Sequence, residues 1–280
     1  MIGNGTKILY QALRYTQDEQ RKFFYDHFTQ EDICGLFNLP HLLWVLAFFS
    51  LAALTLFFAR KLTVKQVGKL HFWIAIAVTV MEATKVAIRV YKRQGADDWM
   101  PLFYCSLFVF AVWLALCKNK TLQTVGYSYM VMGGIMASVF FTVYPSTSLA
   151  LFPIWHPSTI YSFVYHFLMF FLGALIAIKK IYVPATKHAL HYFLFILAAS
   201  VPSVIFNETI GTNCMFLRHA FGLPFLSKLE TNFKVGYIAL VFFAQASLMF
   251  WGNYAIYLVV QKLSKKRADK PDEQPAINKI

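Results

Sequence analysis

Glu82, Lys85 and Arg89 stand three and seven residues apart inside a run that is otherwise apolar. In an α-helix those offsets put all three on one face. Charges at membrane depth are costly and turn toward the protein interior, so a functional site is the first reading of such a stripe. It would hold an anionic headgroup or line a polar path. A structural reading stands beside it: Glu82 and Lys85 pair to fix helix packing while Arg89 extends toward the interface.

Cys105, in PLFYCSL, follows Pro101 by one turn. A helix N-terminus and a nearby cation both favour thiolate, whereas a thiol in purely apolar surroundings is a small inert hydrophobe. His166, in SFVYHFLMF, has no charged neighbour in sequence and reads as a packing residue or as a base. Depth links the two. With the N-terminus outside, Cys105, Lys85 and His166 lie about five, six and seven residues below the outer ends of their spans, a layer ~8–10 Å deep. A thiol, an imidazole and a cation at one level are the parts of an activated nucleophile.

Further polar groups approach from the same side: His41, Asn207, Glu208, Asn213 and His219. Asn207 or Asn213 would donate to a developing oxyanion; the competing role is capping and turn formation around Gly211 and Asn213. His188 and His191 share a helix face without a third ligand, which is a poor metal site. Neither a metal nor a cofactor is expected.

The elements that must carry these residues are membrane spans. Only 14% of residues are charged, against 58% hydrophobic and 18% aromatic, with 29 Phe. A soluble domain carries roughly a quarter charged residues. Seven segments approach the ~20 apolar residues that a helical crossing needs: 41–59, 70–91, 100–117, 122–144, 159–178, 188–206 and 235–261. The expected fold is all-α, a polytopic bundle of about seven transmembrane helices. Pro101 suits the first turn of the third segment, and Pro202 should kink the sixth. Gly126, Gly133, Gly134 and Ala137 suit close helix packing in the fourth.

Lys and Arg set the orientation. An N-out, C-in arrangement places 15 basic residues in the inner loops and tail, against 9 outside. The net charge of +13 therefore reads as topology signal, not as a nucleic-acid surface. Three regions follow: 1–40, with an amphipathic helix over 7–28 suited to the membrane surface; a membrane domain over 41–261; and a polar tail, 262–280, expected to be disordered. No cleavable signal peptide is apparent. The loop 145–158 has three prolines and no charge, and either lids a cavity or anchors at the interface through Trp155. Cys34 and Cys214 would pair only if both faced an oxidising compartment. Asn4-Gly5-Thr6 and Asn207-Glu208-Thr209 match a glycosylation acceptor.

GLFNLPHLLWVL with His41, MEATK with Glu82 and Lys85, PLFYC with Cys105, SFVYHF with His166, and FNETIGTNCMFL with Asn207 and Asn213 occur in that order. Together they resemble the YwaF family of bacterial integral membrane proteins, related to eukaryotic transmembrane protein 164, over roughly residues 34–260. The resemblance implies a seven-span protein of the cell membrane. From the eukaryotic branch it implies cysteine-dependent transfer of acyl chains between lipids, with Cys105 as nucleophile and His166 as base. Phe103 departs from the bacterial pattern, where a His often precedes the Cys by two positions. Membrane lipids are the expected partners, and the oligomeric state is open. The competing functions are a transporter or lipid-translocating protein, with Glu82, Lys85 and Arg89 along a polar path, and a non-catalytic assembly factor.

Overall fold

The computed structural model describes residues 33–91, 100–220 and 224–268. The segment expected to form a surface helix over 7–28, and most of the tail, lie outside the described residues. All regular structure among the described residues is helical.

Helix α1, Leu39–Ala59, starts at an Asn38 cap whose side chain accepts from His41 N at 3.0 Å, with Pro40 in the first turn, where a missing N–H costs nothing. Helix α2, Val64–Tyr91, begins ahead of its apolar run. Thr63 and Gln66 form a reciprocal cap there: Gln66 N donates to Thr63 Oγ1 at 3.3 Å, and Thr63 N to Gln66 Oε1 at 2.8 Å.

The third segment departs from expectation. Helix α3 covers only Leu107–Leu116, ten residues, and Pro101 lies in the turns that precede it. The reason is competition for carbonyls. Leu102 O accepts from Met215 N at 3.0 Å, Tyr104 O accepts from the Tyr129 hydroxyl, and Phe108 N turns to Cys105 O at 3.0 Å. Those bonds take the acceptors that a longer helix would need.

Helix α4, Lys120–Val143, runs continuously through a π-helical stretch, Tyr129–Gly134. A π stretch displaces carbonyls from their usual partners; Asn253 Nδ2 donates to Val131 O at 2.6 Å and to Met132 O at 3.2 Å. Helix α5, Pro157–Ile178, is capped by the His156 imidazole, which accepts from Ser158 N at 3.2 Å. Helix α6, His188–Thr209, carries Pro202 in its interior. After a single 3-10 turn, Cys214–Phe216, come the short α7, Pro224–Asn232, with no buried residue, and α8. The last begins as Lys234–Phe243, passes through a π stretch, Ala244–Leu248, and ends as Met249–Ala268.

Among the described residues, five helices are long and apolar enough to cross a membrane: α1, α4, α5, α6 and α8. The other two expected crossings correspond to α2, which carries the charged stripe, and to the short α3. Helix α4 sits at the centre: 61% of its apolar window is buried, against 17% for α1. Glycine makes the closest approaches possible. A Cβ at Gly126 would stand 2.5 Å from Ala111 O of α3, and one at Gly173 of α5 would stand 2.5 Å from Met130 O.

The apolar loop before α5 folds onto the protein. Leu149 and Phe152 are buried, and their carbonyls accept from Gly35 N (2.9 Å) and Cys34 N (3.5 Å), while Trp155 faces outward. All four cysteines are free thiols.

Candidate functional site

The charged stripe forms a defined network on α2. Glu82 is buried, and Lys85 Nζ donates to its Oε1 at 2.5 Å. The other carboxylate oxygen accepts from the Tyr161 hydroxyl of α5, also at 2.5 Å. Lys85 Nζ lies 5.9 Å from the centroid of the same Tyr161 ring. One turn further, Arg89 Nη2 donates to Ser158 Oγ at 3.1 Å. Both carboxylate oxygens of Glu82 are thus engaged, and Lys85 and Arg89 are only half-buried. The carboxylate is an anchor that positions Lys85.

Cys105 joins this cluster from the turn at the head of α3. Its half-buried thiol lies within electrostatic range of Lys85 and Glu82, and of Tyr129, Tyr161 and Tyr165. Tyr161 and Tyr165 are four residues apart on α5, so they share a face; their rings stack at 5.6 Å, and Tyr165 meets Phe108 of α3 edge-on at 6.0 Å. The Tyr165 hydroxyl is buried beside the Val109 backbone of α3.

His166 follows Tyr165 and so points about 100° away around the helix. Its ring stacks on Phe141 of α4 at 3.7 Å, and Nδ1 faces Ser162 O at 2.7 Å. A carbonyl partner makes Nδ1 the donor, which leaves the Nε2 lone pair as the basic site. Nε2 is buried without a partner. No hydrogen bond or ring contact joins His166 to Cys105. The structure therefore brings Cys105 to Glu82 and Lys85, and holds His166 one residue beyond the tyrosine face.

The remaining candidates serve the scaffold. His41 is buried, with Nδ1 accepting from Phe37 N at 2.9 Å and Nε2 facing Thr142 O at 3.2 Å, so both ring nitrogens are used. Both ends of the Asn207 amide are engaged: Nδ2 donates to Cys214 O at 3.1 Å, while Oδ1 accepts from Cys214 N at 2.7 Å and Thr212 Oγ1 at 2.8 Å. Asn213 accepts from Arg218 N and His219 N and donates to His219 O, at 2.9–3.1 Å. These bonds shape the loop whose Met215 N holds Leu102, and through it the Cys105 turn. Glu208 pairs with Lys234 at 3.4 Å on the surface.

Beside Ala220, the Glu230 carboxylate accepts from Ala220 N and from His219, both at 2.7 Å. Those two donors, with the backbone amide foremost, hold its pKa below the ordinary range.

The profile of the TMEM164 family matches residues 36–262. This chain belongs to the TMEM164 family. No curated protein and no solved structure matches it. The matched span takes in α1 through nearly all of α8, so every residue of the Cys105 cluster lies inside the TMEM164 region. It is a multi-pass membrane protein of that family.

Sequence reasoning missed Ser158, Tyr161 and Tyr165. The signal was available: polar aromatics four apart in YSFVYHF mark one face of an apolar helix, and a buried tyrosine usually seeks a partner.

Proposed function

We propose that this TMEM164-family chain is an integral-membrane enzyme that transfers or hydrolyses lipid acyl groups through Cys105. The observation that carries this reading is the half-buried thiol within electrostatic range of the Glu82–Lys85 pair and of Tyr161 and Tyr165.

In the proposed reaction His166 Nε2 takes the thiol proton. The sulfur attacks the ester carbonyl carbon of a phospholipid, the carbon–oxygen bond breaks, and the departing alcohol takes the proton back from the imidazolium. A second lipid hydroxyl, or water, then attacks the thioester and releases the thiol. Lys85 and Arg89 hold the phosphate, with Glu82 and Tyr161 positioning Lys85. The step needs Nε2 within hydrogen-bond reach of the sulfur, a closure that often comes only with bound substrate. The accompanying topology is seven crossings of the cell membrane, N-terminus outside, with the site in the outer half of the bilayer.

Labelling with an acyl probe tests it. Hydroxylamine-sensitive label should appear on the wild type and vanish in Cys105→Ala; undiminished label in that variant removes Cys105 as nucleophile. The charged stripe also suits a lipid-translocating protein. That reading predicts lipid scrambling in liposomes that depends on Glu82 and is indifferent to Cys105→Ser.

A further inference from the structure

Between α3 and α6 lies an open groove of about 460 Å³. Leu102 and Leu107 line it at the head of α3, Leu114 lies further along the helix and Cys117 just past its end, and α6 contributes Phe195, Ala198 and Pro202. Its origin is physical. Helix α3, at ten residues, spans only ~15 Å of a hydrocarbon layer ~30 Å thick, so it leaves the flank of α6 partly uncovered. Ala198, Ala199 and Pro202 then present small side chains where a larger one would fill the gap. The groove volume falls in the usual range for small-molecule sites, ~300–1,000 Å³. It lies on the side of α3 away from Phe108, which faces α5.

The groove ends at Cys117, which leads directly into Lys118 and Lys120, both exposed. Lys187, also exposed, precedes α6 at the same end of the bundle, because the other end of α6 is tied through Asn207, Cys214 and Met215 to Leu102. No Asp or Glu occurs between Trp99 and Asn207, so α3, α4, α5 and most of α6 contribute no negative charge to that rim. An apolar groove that ends at Cys117, next in the chain to Lys118 and with no acidic residue on α3, α4 or α5, complements one kind of molecule: an acyl chain attached to an anion.

We propose that the α3–α6 groove seats one acyl chain of an anionic glycerophospholipid, with its phosphate against Lys118, Lys120 and Lys187. Basic pockets between membrane helices recognise anionic headgroups in this way. The headgroup lysines lie at the opposite end of α3 from Cys105, and the proposal does not depend on the chemistry proposed for that thiol.

Native mass spectrometry of the full chain, with phosphatidylglycerol or phosphatidylcholine added, reads the site directly. Wild type should retain phosphatidylglycerol in preference to phosphatidylcholine. The double variant Lys118→Gln/Lys120→Gln should weaken phosphatidylglycerol binding by about fivefold per lysine and leave phosphatidylcholine unchanged. Ala198→Phe, at an exposed position where the fold tolerates bulk, should weaken both lipids. Unchanged phosphatidylglycerol binding in either variant overturns the proposal. So does a dimer, without lipid adducts, that Ala198→Phe dissociates, because the occupant would then be a second copy of the chain.

Discussion

Glu82 and Tyr161 tie α2 to α5 through a 2.5 Å hydrogen bond, while the other oxygen of the same carboxylate holds Lys85. The charged stripe is therefore bound to the bundle by a neutral donor from a neighbouring helix. The arrangement fixes where Lys85 can stand relative to Cys105.

Breaking that tie should be graded. Tyr161→Phe removes one charge-assisted bond and should cost about 1.5–3 kcal/mol. Glu82→Gln strands Lys85 in a half-buried position and should cost more, about 3–5 kcal/mol. Thermal unfolding of the purified protein in detergent gives the order; a milder Glu82→Gln would mean that water already reaches the pair.

His166 and His41 should separate cleanly. His166 has an idle, buried Nε2, so His166→Gln should unfold within about 1 kcal/mol of wild type yet lower acyl-enzyme formation by about 10²–10⁴. His41 uses both nitrogens on the scaffold, so His41→Ala should lose about 1–3 kcal/mol of stability. Equal effects of the two substitutions on stability would count against a chemical role for His166.

Asn207→Ala deletes three bonds to the loop before α7 and should destabilise the protein by about 2–4 kcal/mol. Cys214 is fully buried under that loop. Its modification by a maleimide should accelerate in the variant and remain slow in wild type, and equal rates would show that the loop holds without the asparagine.

The Glu230 clasp should be acid-sensitive. Its carboxyl pKa is depressed in the folded chain by Ala220 N–H and His219, so the stabilisation is complete above the ordinary carboxylate range. It is lost as pH falls through the lowered folded value. NMR titration of Glu230 should show the depressed midpoint, and His219→Ala should move it upward.

Much of the scaffold was legible in the residues. Apolar runs located the helices, and an offset of three gave the Glu82–Lys85 pair. Gly126 signalled a close approach, which α3 supplies. The turn-forming role weighed for Asn207 and Asn213 matches the bonds they make. Less legible were features set by tertiary partners. Pro101 looked like a helix start, but Met215 and Tyr129 take the carbonyls around it and hold residues 100–106 in turns. The π stretch of α4 is supported by Asn253, far along the chain, whose amide donates to Val131 and Met132. Depth placed His166 level with Cys105, yet the ~100° step per residue on α5 gives the thiol to the Tyr165 face and the imidazole to Phe141.

The bond between Met215 N and Leu102 O also sets a timetable. During synthesis α3 enters the bilayer long before the loop that clasps its leading turn has left the ribosome. Until α6 has been inserted and that loop has folded back, the Cys105 turn lacks its clasp. A nascent chain halted after α5 should therefore hold its thiol loosely, so the Cys105 turn matures only near the end of translation.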